Sequence, residues 1–265
     1  MRILCLNAWG GVLHEALMPW IAGLGADVLC LQEVVHTPGA SKEWLEYRDG
    51  AHILPQRARM FDELRAALPG HAALFSPAGS GLLWDGDRPV PSHFGLACFV
   101  HETIPVIGQT TGFVHGAYSD RDYGAHPRPR NAMALRLWAG GRPWVVAQMH
   151  GLRDKAAGKG DTPERAAQAE RFAGLIEGLA EPGDATVACG DFNILPDSQT
   201  LRRLERLGLR DLVTGGGFAG TRTARYTKPD RFADYLMVND RVPVRRFDVL
   251  RTPEVSDHCP LWLEA

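Results

Sequence analysis

The chain has 265 residues, of which 45% are hydrophobic and 23% charged, and its formal net charge is -2. This composition is typical of a globular α/β protein, and the charge excludes an overall basic field for nucleic acid, although a local basic groove is still allowed. No run approaches the roughly 18 apolar residues of a membrane span, and the start lacks a signal peptide's long apolar region, so we expect a cytoplasmic protein.

Ten short β-rich runs bounded by turn residues predict strands. In chain order they cover residues 2–7, 27–32, 72–76, 95–100, 132–138, 144–150, 186–192, 233–238, 246–250 and 260–265. Helices are predicted at 14–24, interrupted by Pro19, and at 57–68, 162–180 and 198–208. The third is the clearest, because Thr162 can cap it and Pro163 suits the first helical position. Its apolar face carries Phe172, Leu175, Ile176 and Leu179.

Strands outnumber helices and the two do not alternate regularly, which favours two sheets with helices packed outside them. No repeat or long linker divides the sequence, so we expect one domain over residues 1–265. Residues 79–91 and 110–129 are rich in Gly, Pro, Asp and His and are predicted as loops that border a functional site.

The five cysteines lie in or beside apolar strand-like runs, and no C-x-x-C pair occurs among them. We interpret them as small buried core residues in a reducing compartment. This pattern does not indicate structural zinc.

Several predicted strands end in polar residues that a strand does not need for packing. These residues are Asn7, Glu33, His150, Asp191 and Asn193; Asp234 interrupts another strand, and Asp257 with His258 precedes the last. Such a recurrence predicts one convergent cluster at the edge of a sheet.

The residue types in this cluster suit phosphoester chemistry. Oxygen ligands without thiolates favour a hard cation such as Mg²⁺, and Glu33 and Asp257 could supply them. Phosphoryl oxygens or developing negative charge could be held by Asn7, Asn193 and His150. An imidazole oriented by a carboxylate makes a general base or acid near neutral pH, a role open to His258 with Asp234. Metal-assisted phosphoester hydrolysis is therefore the leading interpretation.

Six motifs in order, `LNAW`, `LQEV`, `QMHG`, `GDFN`, `FADYLMV` and `SDHCPL`, also carry a resemblance. Together they resemble the endonuclease/exonuclease/phosphatase superfamily, which includes exonuclease III, deoxyribonuclease I and neutral sphingomyelinases. The resemblance implies a four-layer αββα sandwich of the deoxyribonuclease I type, in which helices flank two mainly antiparallel mixed sheets. It places the site at one end of the sandwich.

The resemblance also implies roles for the motif residues. Asn7 and Glu33 would bind Mg²⁺, with Mn²⁺ as a possible substitute, and Asp257 would help directly or through water. The phosphate and the attacking water would be contacted by His150, Asp191 and Asn193. Asp234 would orient His258, and either Asp191 or His258 would take the proton of the water.

Residues between Val35 and Ala132 match no family motif, so we expect substrate specificity to be built there. Two basic stretches flank the motifs, and they are equally typical of a solvated surface. Their predicted contacts to an anionic substrate are Arg153, Arg225, Tyr226 and Lys228.

These features predict a Mg²⁺-dependent phosphoesterase that hydrolyses a phosphodiester or phosphomonoester by in-line attack of water. The slightly acidic chain favours a small molecule or a lipid headgroup as substrate over DNA or RNA. A metal-dependent nuclease is the alternative, and a catalytically silent member that binds a ligand is a second one. No protein partner is evident from the sequence.

Overall fold

Two β-sheets form the centre of the structure, a computed structural model that describes residues 1–265. The strands are β1 (Arg2–Asn7), β2 (Val28–His36), β3 (Trp44–Asp49), β4 (His52–Arg57), β5 (His71–Asp85), β6 (Arg88–His101), β7 (Val106–His115), β8 (Arg130–Ala139), β9 (Arg142–His150), β10 (Ala185–Asp191), β11 (Arg210–Asp211), β12 (Asp234–Val238), β13 (Arg246–Val249) and β14 (Leu261–Glu264). The helices are α1 (His14–Gly23), α2 (Met60–Ala67), α3 (Pro163–Glu177), α4 (Gln199–Glu205) and α5 (Leu212–Gly215).

The first sheet has eight strands in the order β13-β14-β1-β2-β6-β5-β3-β4, and the second has six in the order β11-β12-β10-β9-β8-β7. Both sheets are mixed, because β1 pairs with β2 and β9 with β10 in parallel while the other pairs are antiparallel. The predicted fold class is thereby confirmed.

Side-chain alternation along β1 shows how the layers are held. Ile3 and Cys5 belong to the apolar core shared with the second sheet, whereas Leu4 and Leu6 pack in a second core that includes residues of α1 and α2. Successive residues of a strand point to opposite faces, so a wholly apolar strand must be covered on both sides. Helix α3 covers the outer face of the second sheet through Phe172 and Ile176.

All ten predicted strands and all four predicted helices are present. Helix α3 begins as expected: Pro163 is its first residue, and the Thr162 hydroxyl accepts a hydrogen bond from the backbone N–H of Arg165 at 3.2 Å. Such a side-chain cap satisfies one of the free N–H groups at a helix start.

Both loop predictions were wrong in part. Residues 79–91 form the end of the long β5–β6 hairpin, which is paired as far as Asp85 with Arg88. Residues 110–115 belong to β7, so only 116–129 is an irregular loop. Glycine and proline marked these segments as loops, but backbone pairing with a neighbouring strand outweighs the weak strand preference of those residues.

No helix of the structure is both long enough and apolar enough to cross a membrane.

Candidate active site

Three polar strand ends of the second sheet lie side by side. Asp191, the last residue of β10, is in register with His150, the last residue of β9, and with Asp234, the first residue of β12. On the first sheet Asn7 ends β1 and is in register with Gln32 of β2. The Asn7 Nδ2 donates a 2.9 Å hydrogen bond to Asp191 Oδ2, which joins the two sheets at this end.

An irregularity in β2 places Glu33. The pairing of β2 with β6 shifts register between Leu31 and Val34, and Glu33 has a φ of +56°. A left-handed non-glycine residue at a bulge is strained, and such residues occur at functional sites. The Glu33 Oε1 lies 3.8 Å from His150 Nε2. Burial raises the pKa of the Glu33 carboxyl.

His258 and Asp234 form a buried pair. The His258 Nδ1 lies 2.8 and 2.9 Å from the two Asp234 oxygens, and each residue is no more than 3% exposed. Burial raises the pKa of Asp234 to about 7 and lowers that of His258 to about 4. Above about pH 7, where Asp234 is ionised, the neutral imidazole can donate Nδ1–H to the Asp234 carboxylate. In this tautomer Nε2 keeps its lone pair and can accept a proton.

Asp191 lies at the centre of the cluster. Its Oδ1 accepts the backbone N–H of Asn193 at 3.0 Å, and its Oδ2 lies 3.6 Å from His258 Nε2 and 3.7 Å from His150 Nε2. Two groups of possible metal ligands share this carboxylate, Glu33–His150–Asp191 and Asp191–Asp234–His258, with ligand atoms within 4.8 Å of one another. Burial lowers the pKa of His150 well below its ordinary value, with Arg130 adding to the effect.

Asp257 is held by an arginine that sequence reasoning missed as a site residue. The Arg222 Nη1 donates a 2.7 Å hydrogen bond to Asp257 Oδ2, and its guanidinium lies 4.3 Å from the ring centre of Tyr226. The other oxygen, Asp257 Oδ1, is buried without a hydrogen-bond partner and lies 3.7 Å from His258 Nε2. The signal for Arg222 was its place in the basic stretch before Asp234, where it forms a backbone bridge with His258.

The charges of the cluster suit a divalent cation. Four carboxylates converge here, those of Glu33, Asp191, Asp234 and Asp257. Two mostly buried guanidiniums, Arg130 and Arg222, oppose them. Because buried carboxylates are costly without compensation, the remaining negative charge and the unpartnered Asp257 oxygen fit a hard cation.

The predicted substrate contacts fall in different places. Arg153 and Lys228 line a cavity of about 410 Å³ that also includes Glu33 and Arg130. Tyr226 lies under Arg222, next to the cluster. Arg225 does not line the cavity: its side chain is 48% exposed and lies 3.4 Å from Glu254.

Two other basic residues of these stretches are structural. Lys159 donates to the backbone carbonyls of Asp230 and Phe232, and Arg165 donates to three carbonyls of the loop that precedes its helix. Both side chains therefore stabilise the loops around the site through hydrogen bonds to backbone carbonyls.

Two stacked mixed sheets that gather carboxylates and imidazoles at one end define a class of sandwich-fold phosphoester hydrolases. The chain belongs to the Endonuclease/Exonuclease/phosphatase family, whose sequence model matches residues 4–258. The resemblance and the enzyme class predicted from the sequence are thereby confirmed. No curated protein matches the sequence significantly.

Solved structures share the fold at low sequence identity. A mannosyl-6-phosphatase from Bacteroides thetaiotaomicron VPI-5482 is 16% identical with a TM-score of 0.66, and the match covers 100% of this chain and 98% of that one. The human Nocturnin catalytic domain is 20% identical with a TM-score of 0.64, covering 99% and 93%. A humanized D. rerio TDP2 is 13% identical with a TM-score of 0.60, covering 99% and 97%.

Proposed function

We propose that this protein is a Mg²⁺-dependent phosphoesterase that hydrolyses a phosphodiester or phosphomonoester of a small molecule or lipid headgroup. The observation that carries the proposal is the pairing of His258 with Asp234 beside Asp191, within a cluster of excess carboxylates. The phosphatase among the similar structures is consistent with this activity.

The residues that would hold the metal are Glu33, Asp257 and Asn7. Their donors are all oxygens, which Mg²⁺ prefers and Mn²⁺ accepts. The bound metal would polarise a phosphoryl oxygen and neutralise charge that develops during the reaction. Asp191 belongs to a group of possible metal ligands with Glu33 and His150, so its carboxylate could also contact the metal.

His258 would act on the attacking water. Both oxygens of Asp191 already accept hydrogen bonds, from Asn7 and from the N–H of Asn193. The Nε2 of His258 has no partner closer than 3.6 Å. We therefore propose that His258 accepts the proton of the attacking water and that Asp191 orients this water.

Three groups would bind the phosphoryl oxygens. His150 and Asn193 are buried beside Asp191, and Arg222 supplies positive charge near His258. Donors fixed before the reaction stabilise developing charge without reorganisation, which is usually the largest contribution of an enzyme site.

The surroundings of the site favour a small substrate. A cavity of about 410 Å³ with aromatic and charged walls is of the size that encloses a small molecule. A duplex needs an extended basic surface, and the net charge is -2. A nuclease would instead show binding to DNA or RNA that weakens steeply with salt.

Hydrolysis of bis-p-nitrophenyl phosphate and p-nitrophenyl phosphate tests the proposal, in Mg²⁺, in Mn²⁺ and in EDTA. We expect metal-dependent turnover that is lost in His258→Ala and Glu33→Gln and kept in Glu15→Gln, a carboxylate whose side chain is 93% exposed. The preferred ester distinguishes diesterase from monoesterase activity. Turnover that survives His258→Ala, or that does not need metal, would contradict the mechanism.

A further inference from the structure

The cavity continues away from the cluster over a row of aromatic rings. Ring centres are 6.4 Å apart for His150 and Phe94, 6.3 Å for Phe94 and Tyr123, and 6.0 Å for Tyr123 and Tyr47. Phe94, Tyr123 and Tyr47 all line the cavity. The row therefore leads from a residue of the candidate active site to β3, which lies next to the edge strand β4.

A cation without an acidic partner lies at the far end of this row. The Arg128 guanidinium is 5.2 Å from the ring centre of Tyr47 and 5.6 Å from that of Tyr123. Stacking on two rings fixes its position. Arg128 forms no ion pair, and its Nε is buried without a hydrogen-bond partner.

Two further cations of the cavity are also free of carboxylates. Arg153 and Lys228 line it and form no ion pair. Lys155 differs, because it lies 3.4 Å from Asp49, which also accepts from His126 at 3.0 Å. The residues that line the cavity consequently carry more positive than negative charge, in contrast to the acidic cluster beside it.

The strands that carry Glu33 and Tyr47 are not neighbours in the first sheet. Glu33 lies on β2 and Tyr47 on β3, and strands β6 and β5 lie between them. Neighbouring strands are about 4.8 Å apart, which separates these two strands by roughly 14 Å. A phosphoryl group is smaller than one such spacing. Arg130, which interacts with Glu33 and Asp191, belongs to the catalytic end.

We propose, resting on the function proposed above, that the substrate carries a second anionic group that Arg128 binds with help from Arg153 and Lys228. The scissile phosphoryl group lies at the acidic cluster, and the part of the substrate between its two anions packs on Phe94 and Tyr123. The substrate class is a small phosphoester with a distant phosphate or carboxylate. Specificity then depends on the distance between the two anions.

Calorimetric titration of alkane-α,ω-bisphosphonates against alkyl monophosphonates of matched length, in Mg²⁺, tests this directly because neither is hydrolysed. We expect long-spaced bisphosphonates to bind at least about tenfold more tightly than the monophosphonate, as a charge-assisted contact allows, and short-spaced ones to gain nothing. In Arg128→Met the ratio of the two affinities falls to near one, and Arg128→Lys recovers part of it. Arg153→Gln and Lys228→Gln each lower the ratio severalfold.

The exposed Arg202→Gln, on helix α4, is the matched control and leaves the ratio unchanged. Equal affinity of native protein for both ligands, or a ratio that survives Arg128→Met, would overturn the proposal. Because binding is measured without turnover, its result stands apart from that of the p-nitrophenyl assays. If the bisphosphonate still binds more tightly than the monophosphonate but no ester is hydrolysed, only the enzyme mechanism is refuted. If the esters are hydrolysed but the two phosphonates bind equally, only the second anion site is refuted.

Discussion

Under the proposed mechanism, replacing Asp234 with asparagine should lower activity without lowering stability. The carboxylate accepts a hydrogen bond from the Nδ1–H of His258, and its two oxygens lie 2.8 and 2.9 Å from Nδ1. An amide of the same shape presents an N–H group to Nδ1, which favours the other tautomer of the imidazole. The proton then lies on Nε2, and His258 can no longer accept one from water.

Two magnitudes follow from this change. Loss of a positioned general base lowers the rate by about 10²- to 10⁴-fold. The free energy of unfolding of the metal-free protein, in contrast, should increase. Burial raises the pKa of Asp234 to about 7, and three units above its ordinary value correspond to roughly 4 kcal/mol of unfavourable free energy for the ionised group. Asparagine removes this cost.

The sign of the pH dependence follows from the same shift. Between about pH 4 and pH 7 the unfolded chain has lost the Asp234 proton while the folded protein retains it, so the contribution of Asp234 to stability falls as pH rises, opposite in sign to the contribution of His258, whose pKa is lowered to about 4. The contribution is constant above about pH 7. Asp234→Asn lacks this slope, so its advantage over the native protein grows across that range.

We would measure kcat with Mg²⁺ and the urea midpoint in EDTA across this pH range, with Asp240→Asn as control because its side chain is 88% exposed. The expected result is a large loss of kcat with an unchanged or higher midpoint. A kcat within a fewfold of native would refute the role of the pair. A midpoint that falls together with kcat would show that the carboxylate stabilises the fold.

Three further predictions concern the metal, the backbone and a buried ion pair. Mg²⁺ at 100 times its dissociation constant should stabilise the native protein by about 2.7 kcal/mol in urea denaturation, and Glu33→Gln should abolish most of this gain. Gly190→Ala should destabilise the protein by more than about 3 kcal/mol, because the φ of Gly190 is +143° and a Cβ would collide with the carbonyl of Met149. The control is Gly174→Ala, in a helix where a Cβ meets open space, which should raise the free energy of unfolding by about 0.5–1 kcal/mol. Asp184→Asn should cost about 1–3 kcal/mol at pH 7, because Asp184 accepts from Arg136 at 2.8 Å. Burial alone would raise the pKa of Asp184, but its hydrogen bonds hold it below the ordinary value, so the difference in urea midpoint should shrink as pH falls below about 4.

The candidate site cluster could be predicted because its polar residues stand at the ends of apolar strands. Strands β1, β9 and β10 are apolar along almost their whole length, so a single Asn7, His150 or Asp191 at the end has no packing role. Buried strands produce continuous apolar runs, which made the elements themselves easy to recognise. The pairing of Asp234 with His258 was expected on the same grounds, and their atoms are in contact.

The cavity walls could not be predicted in the same way. Strands β3 and β4 form an edge of the first sheet and are charged or exposed at most positions, so they show no apolar alternation. Edge strands are held by pairing and by their neighbours more than by their own sequence. Arg128 is brought to Tyr47 only by tertiary structure, and no spacing in the sequence indicates that contact.

Several features that weaken the fold coincide at the candidate site. Glu33 and Asn193 have positive φ angles of 56° and 53°, and the pKa values of three of the carboxylates are raised by burial. Beneath them the Gln32 amide donates to Gln148 at 2.9 Å, and Gln148 donates to the carbonyl of Ala97 at 2.8 Å. These bonds tie both sheets together just below the strained positions. Because strain persists only where the surrounding structure fixes it, we infer that this inter-sheet network holds the carboxylates close to one another.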